Sequence, residues 1–121
     1  MEKEHLLRTH QDLDVWKVSM DFVTEIYKVT NDFPKSELFG LSSQIRRASV
    51  SIPANISEGS ARQSSKEFNH FLHIALGSAA ELHTLVLIAK NLEYISDIDS
   101  IELTLNRILR MLSGLIRAIN K

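Results

Sequence analysis

The side chains best placed to do chemistry lie in one run, Gln44-Ile-Arg-Arg-Ala-Ser-Val-Ser-Ile-Pro-Ala-Asn-Ile-Ser-Glu-Gly59. Ser51, Asn55 and Glu58 stand four and three residues apart, so on a helix they share one face. An apolar stripe runs close beside them, and a polar row at the edge of a core needs partners. A second run, Gly77-Ser-Ala-Ala-Glu-Leu82, offers Ser78 and Glu81 on one face of another helix. Arg46, Arg47 and Arg62 are the cations able to neutralise these glutamates. We read Ser51, Asn55, Glu58, Ser78 and Glu81 as a structural network that fixes how two helices or two subunits meet. The alternative is a polar ligand site, or an enzyme that uses Asn55, Glu58 and Glu81. A dry, paired cluster argues for the network, and an open pocket argues for the site.

The second chemical feature is charge asymmetry. Residues 103–121 contain no acid, and Arg107, Arg110, Arg117 and Lys121 recur at spacings of three, seven and four. On a helix they form a basic stripe opposite the apolar one. Cations near a helix C-terminus complement its dipole, which accounts for Arg117 and Lys121 better than for Arg107. The functional reading is a phosphate-binding face whose charges multiply in a ring of identical subunits. Aromatic residues do not interleave this stripe, so bases are not expected to stack on it.

Other chemistries lack their parts. A di-iron bundle needs two Glu-x-x-His motifs plus two further glutamates. Within its expected helices this chain has one, Glu67-Phe-Asn-His70, and a pairing of His70 with His73 has no third ligand. No metal and no cofactor is expected. No serine sits in a Gly-x-Ser-x-Gly turn, and glycines at 40, 59, 77 and 114 are too scattered for a phosphate loop. No catalytic residue is assigned.

The elements that carry these residues follow from apolar periodicity of three and four. A first helix is expected over about 13–30. Asp12 or Asp14 is its cap, and Asn31-Asp32-Phe33-Pro34 ends it. It bears two adjoining apolar stripes, Trp16, Met20, Val23, Tyr27 and Val15, Val18, Phe22, Ile26, Val29. That face is wider than one partner covers. A second helix spans about 36–62, bent at Pro53 and ended by Gly59-Ser60. A third spans about 65–92 and opens on the capping box Ser64-Ser-Lys-Glu67. In it Gly77 predicts the close approach of another helix, because a mid-helix glycine costs about 1 kcal/mol against alanine. A fourth spans about 100–120, with Asp99 and Glu102 as its capping box. Short loops then make the chain all-α, an antiparallel up-down-up-down four-helix bundle in one domain over 1–121.

Composition agrees with that fold. At 121 residues and 44% apolar content one domain can bury a real core. There is no cysteine, so disulfides and thiolate sites are excluded, and a reducing compartment is suited. The charged start, Met1-Glu-Lys-Glu-His-Leu-Leu-Arg8, predicts no signal peptide. No run of 18 uninterrupted apolar residues occurs, so no membrane partner and a cytoplasmic location are expected. The net charge of −1 means that nucleic-acid binding must come from local charge.

The run Ser51-Ile-Pro-Ala-Asn-Ile-Ser-Glu-Gly59 resembles the signature of the four-helix bundle family named for proteins encoded in 23S rRNA intervening sequences. Leu13-Asp-Val-Trp16, Phe33-Pro34, Gln44-Ile-Arg-Arg47, Phe68, Phe71-Leu72 and Gly77-Ser-x-x-Glu-Leu82 extend the match over about 13–119. The resemblance implies a bacterial protein that assembles as a homopentameric ring or barrel. A related branch, the accessory protein of diversity-generating retroelements, is basic, binds nucleic acid and partners a reverse transcriptase. The leading expectation is thus a non-enzymatic homo-oligomer, a pentamer, that binds RNA or DNA through Arg46, Arg47, Arg62, Arg107, Arg110 and Arg117. The alternative is an accessory module that docks a protein partner through the remaining apolar surface of the first helix.

Overall fold

The computed structural model describes residues 13–120. Four helices follow in order: α1 (Asp14–Thr30), α2 (Leu41–Ser60), α3 (Ser65–Asn91) and α4 (Asp99–Ile119). A 3₁₀ turn (Lys35–Glu37) separates α1 from α2. No strand occurs among the described residues. Each helix packs on its neighbours in sequence, and α1 closes the cycle against α4, while the diagonal pairs stay apart. This is the expected up-down-up-down bundle. Its core is built from Phe22, Ile26, Ile45, Ile52, Ile56, Leu72, Leu82, Leu105, Ile108 and Leu112, all nearly inaccessible. Burying each such side chain contributes roughly 1.5–3 kcal/mol. The buried hydroxyls of Ser19 and Thr30 donate back to the carbonyls of Val15 and Ile26, so neither is left unpaired.

Several local expectations need correction. The second helix starts at Leu41, not near Ser36, because the chain first makes the 3₁₀ turn. Glu37 then caps α2, its Oε1 accepting from the Leu41 amide at 3.1 Å. The helix passes unbroken through Pro53, which is buried. The first helix has Leu13 at its N-cap without a side-chain bond, and Asp14 lies in the first turn. Asp12 and Lys121 lie outside the described residues. Ser64 does cap α3, accepting from the Glu67 amide at 3.2 Å, and the Glu67 carboxylate returns to the Ser64 hydroxyl. At α4 the Asp97 carboxylate accepts from the Asp99 amide at 2.9 Å, in place of an Asp99–Glu102 box. Glu102 is engaged elsewhere, 2.8 Å from His83 Nε2 on α3.

The second helix ends at Ser60, as expected, but the close approach of another helix falls at Gly59 and not at Gly77. Gly59 lies inside α2, where a Cβ would come within 2.8 Å of Phe71 Cβ and 2.9 Å of Phe68 Cδ1. Here α3 passes so close to α2 that only glycine fits. At Gly77 nothing lies within 4 Å of that position. No other helix among the described residues approaches it.

By length and composition α3 is enough to cross a membrane, contrary to the reading of uninterrupted runs alone. Its apolar content includes the stripe Leu72, Ala75, Ala79, Leu82, Leu85, Val86 and Ala89, which is buried inside the bundle. This central helix packs on both α2 and α4.

The end of α3 is closed by paired backbone bonds: the Tyr94 amide donates to Ala89 O and the Glu93 amide to Lys90 O, both at 2.9 Å. This Schellman closure places Glu93 at φ 64°, a left-handed conformation that glycine adopts without cost. Glu93→Gly is therefore expected to stabilise the protein by about 0.5–1 kcal/mol. A thermal melt should rise by about 2–4 °C.

At the same end of the bundle, the Tyr94 ring packs on Phe33 with centroids 5.5 Å apart, and its hydroxyl donates to Glu37 Oε2 at 2.9 Å. That hydrogen bond holds the Tyr94 pKa above its ordinary value near 10, with burial and the Glu37 charge acting in the same direction. A group whose folded pKa is raised contributes fully below its unfolded pKa and loses that contribution as pH rises through the folded one. Melts taken across pH 9 to 12 should show wild type losing stability more steeply than Tyr94→Phe as the pH passes about 10.

Candidate nucleic-acid interface and polar cleft

The six arginines do not share one surface. Arg46 faces α1, where Nε donates to Thr30 Oγ1 at 2.8 Å and the guanidinium lies 4.9 Å from the centre of the Tyr27 ring. Its donors and its flat face are used to lock α2 against the end of α1. Arg62 pairs with Glu58 at 2.9 Å and Glu67 at 3.8 Å, and lies over the Phe71 ring at 4.9 Å. Two carboxylates beside it cancel its attraction for a phosphate. Arg107 lines a depression with Asp21 and Glu25 of α1, which oppose an approaching anion.

Arg110 and Arg117 are different. Both are exposed, and neither forms an ion pair among the described residues. With Leu109 and Ser113 they line a shallow depression of about 270 Å³ on the outer face of α4. Seven residues apart, they sit two turns from one another on the same side of the helix, with the Ser113 hydroxyl between them. The arrangement suits an extended anion, since two forked donors and a hydroxyl are aligned along about 10 Å of helix.

The polar row of α2 divides. Ser51 and Ser78 share a hydrogen bond at 2.7 Å between their hydroxyls, which ties α2 to α3. Asn55 Nδ2 donates to Ser51 Oγ at 2.9 Å and to the Ser51 carbonyl at 2.8 Å. These three residues form the core of the expected network. Glu58 and Glu81 do not join it. In an antiparallel helix pair they lie on opposite sides of the Ser51–Ser78 contact, roughly 15 Å apart along the axis. Glu58 is held by Arg62. Glu81 instead lines an open cleft of about 400 Å³ with Gln44, Arg47, Ala48 and Ser51. Arg47 and Glu81 are both exposed, and neither has an ion pair among the described residues. An active site drawing together Asn55, Glu58 and Glu81 is therefore not assembled, although a polar cleft exists beside the network. Among the described residues no group of three or more His, Asp or Glu is placed to hold a metal.

Sequence reasoning missed three features. Trp16 Nε1 donates to Ser57 Oγ at 2.9 Å, joining the start of α1 to the end of α2. Ser57 lies off the face shared by Ser51 and Asn55, so the helical spacing did not point to it. Ser113 stands between two arginines of the basic stripe. Phe39 is 94% exposed and Leu103 70% exposed, which no periodicity could reveal because both occupy outward positions.

Residues 11–114 match the family model described as 23S rRNA-intervening sequence protein. The fold is similar to a protein of unknown function of the S23 ribosomal protein family from Bacteroides thetaiotaomicron, known from a crystal structure at 1.70 Å. The two are 32% identical, with a TM-score of 0.75, over 84% of this chain and 97% of that one. No curated protein matches the chain. The match spans all but the ends of the chain, and it includes α1, α2, α3 and most of α4. The chain belongs to the 23S rRNA-intervening sequence protein family.

Proposed function

We propose that the protein is a non-enzymatic helical bundle that assembles with itself and binds the phosphates of RNA or DNA through the outer face of α4. The observation that carries this reading is the Arg110–Ser113–Arg117 row, whose arginines have no ion pair among the described residues, in a segment without acids. Of the six candidate arginines, Arg110 and Arg117 are the contacts; Arg46 and Arg62 serve the fold, Arg107 is offset by Asp21 and Glu25, and Arg47 lies apart from the α4 row, in the α2–α3 cleft with Glu81. One copy offers few cations for a polyanion. Assembly into a ring, a pentamer as the family resemblance implies, repeats the row and raises affinity without any new contact. Filter binding of structured RNA and of duplex DNA at low salt tests the reading. Retention at roughly micromolar protein is expected, and failure to retain either polymer overturns it.

A second reading, an accessory module for a protein partner, rests on apolar surface left outside the bundle. Met20 and Tyr27 of α1 are more than two-fifths exposed, and Leu103 of α4 more than two-thirds. A partner retained from a nuclease-treated lysate by the wild type, and lost with Leu103→Lys, favours it over nucleic acid.

A further inference from the structure

We infer that Phe39 of one copy seats in the α2–α3 cleft beside Arg47 of a second copy, which makes this pair the contact through which the bundle assembles. The inference rests on the self-assembly reading above and names its surface. Phe39 follows the 3₁₀ turn, whose backbone is fixed by bonds from Leu38 to Lys35 O and from Gly40 to Glu37 O. The turn is tied further by Glu37, which binds both the Leu41 amide and the Tyr94 hydroxyl. A rigid backbone thus presents a phenyl ring to water, at 94% exposure. The other aromatic side chains are all accounted for: Phe22 and Phe33 are buried, Trp16, Phe68, Phe71 and Tyr94 are half-buried, and Tyr27 is stacked on Arg46.

The cleft supplies what the ring lacks. Its floor holds the small side chains Ala48 and Ser51, and Arg47 shares its lining with Glu81 without forming an ion pair among the described residues, so the flat face of the guanidinium is not committed to a carboxylate. Arginine guanidiniums favour aromatic faces. This chain already uses that pairing twice, Arg46 over Tyr27 and Arg62 over Phe71, each at 4.9 Å. Among the described residues Arg47 is the one arginine of α2 without a ring, and Phe39 the one aromatic side chain that is almost fully exposed. They do not pair within a chain. Phe39 precedes α2, and Arg47 lies roughly 12 Å further along it, beyond the reach of a phenylalanine side chain. Gly77, one turn before Glu81, leaves open space on the outer side of α3.

Sedimentation velocity of the full chain tests the pairing. Phe39→Ala removes the ring and Arg47→Glu replaces the cation of the cleft by a second carboxylate beside Glu81; both residues are exposed, so the circular dichroism spectrum should stay as in wild type, while melting should fall only by what the lost assembly contributed. The expected result is an assembled wild type, a retained assembly in Phe39→Trp, and monomers for Phe39→Ala and Arg47→Glu alone. Mixing the two monomeric variants should restore association, since one still carries the ring and the other still carries the cleft. Assemblies of wild-type size in both variants overturn the pairing and leave self-assembly standing. Monomeric variants that fail to associate on mixing also overturn it, by placing the two residues on separate contacts. A monomeric wild type at high concentration overturns both the pairing and the assembly reading.

Discussion

Alanine at Gly59 is expected to lower the unfolding free energy by about 2 kcal/mol, whereas alanine at Gly77 is expected to raise it by about 1 kcal/mol. The two substitutions are chemically identical and both fall inside helices, so propensity alone predicts the same gain for each. Packing separates them. The new methyl at 59 meets Phe71 Cβ at 2.8 Å and Phe68 O at 3.3 Å. These atoms belong to α3 or lie one bond from its backbone, so relief requires α3 to move away from α2. That movement loosens the Ser51–Ser78 bond and the Trp16–Ser57 bond, which both depend on where α2 sits. At 77 the methyl meets nothing, and the gain in helix propensity is left uncancelled. Urea unfolding at one fixed protein concentration reads both, with opposite shifts of the midpoint at unchanged slope. Equal stabilisation by both substitutions would contradict the close α2–α3 approach.

Arg110→Ala combined with Arg117→Ala is expected to weaken binding to RNA or DNA by about 10- to 100-fold at low salt, at roughly 1 kcal/mol or slightly more per guanidinium. Neither side chain has an ion pair among the described residues, so folding stability should change by less than about 0.5 kcal/mol. Arg46→Ala provides the opposite pattern. It removes the bond to Thr30 and the stacking on Tyr27, and should cost about 1–2 kcal/mol of stability with little change in binding. Binding curves and melts on the same three proteins check both halves. An Arg46 variant that lost binding while the double variant kept it would move the interface from α4 to the α1–α2 side.

The helices were legible because their apolar residues recur at three and four, and the Ser64–Glu67 cap was legible because its chemistry is local. The start of α2 was not, since it depends on Glu37 reaching forward to the Leu41 amide while also holding Tyr94 some 57 residues away. The glycines show the same limit. Gly59 and Gly77 look alike in a helical pattern, and only the path of α3 decides which of them is crowded. Hydrogen bonds join Ser51, Asn55 and Ser78, whose spacing puts them on facing sides of α2 and α3. Glu58 and Glu81 satisfy the same spacing, yet an antiparallel partner carries them to opposite sides of the contact. The basic stripe was visible as charge, but its division was not. Whether an arginine is free depends on acids and rings brought in by other helices, as Thr30 and Tyr27 are to Arg46 and Asp21 and Glu25 to Arg107.

The α4 interface is tested most directly by the salt dependence of binding. Affinity of the wild type for structured RNA, measured over a series of salt concentrations, should fall linearly on logarithmic axes as bound cations are displaced from the phosphates. For the Arg110→Ala, Arg117→Ala protein the slope should be shallower by roughly two for each copy engaged. An affinity that does not change with salt, or a slope identical in the two proteins, would contradict the proposal that these arginines hold nucleic-acid phosphates.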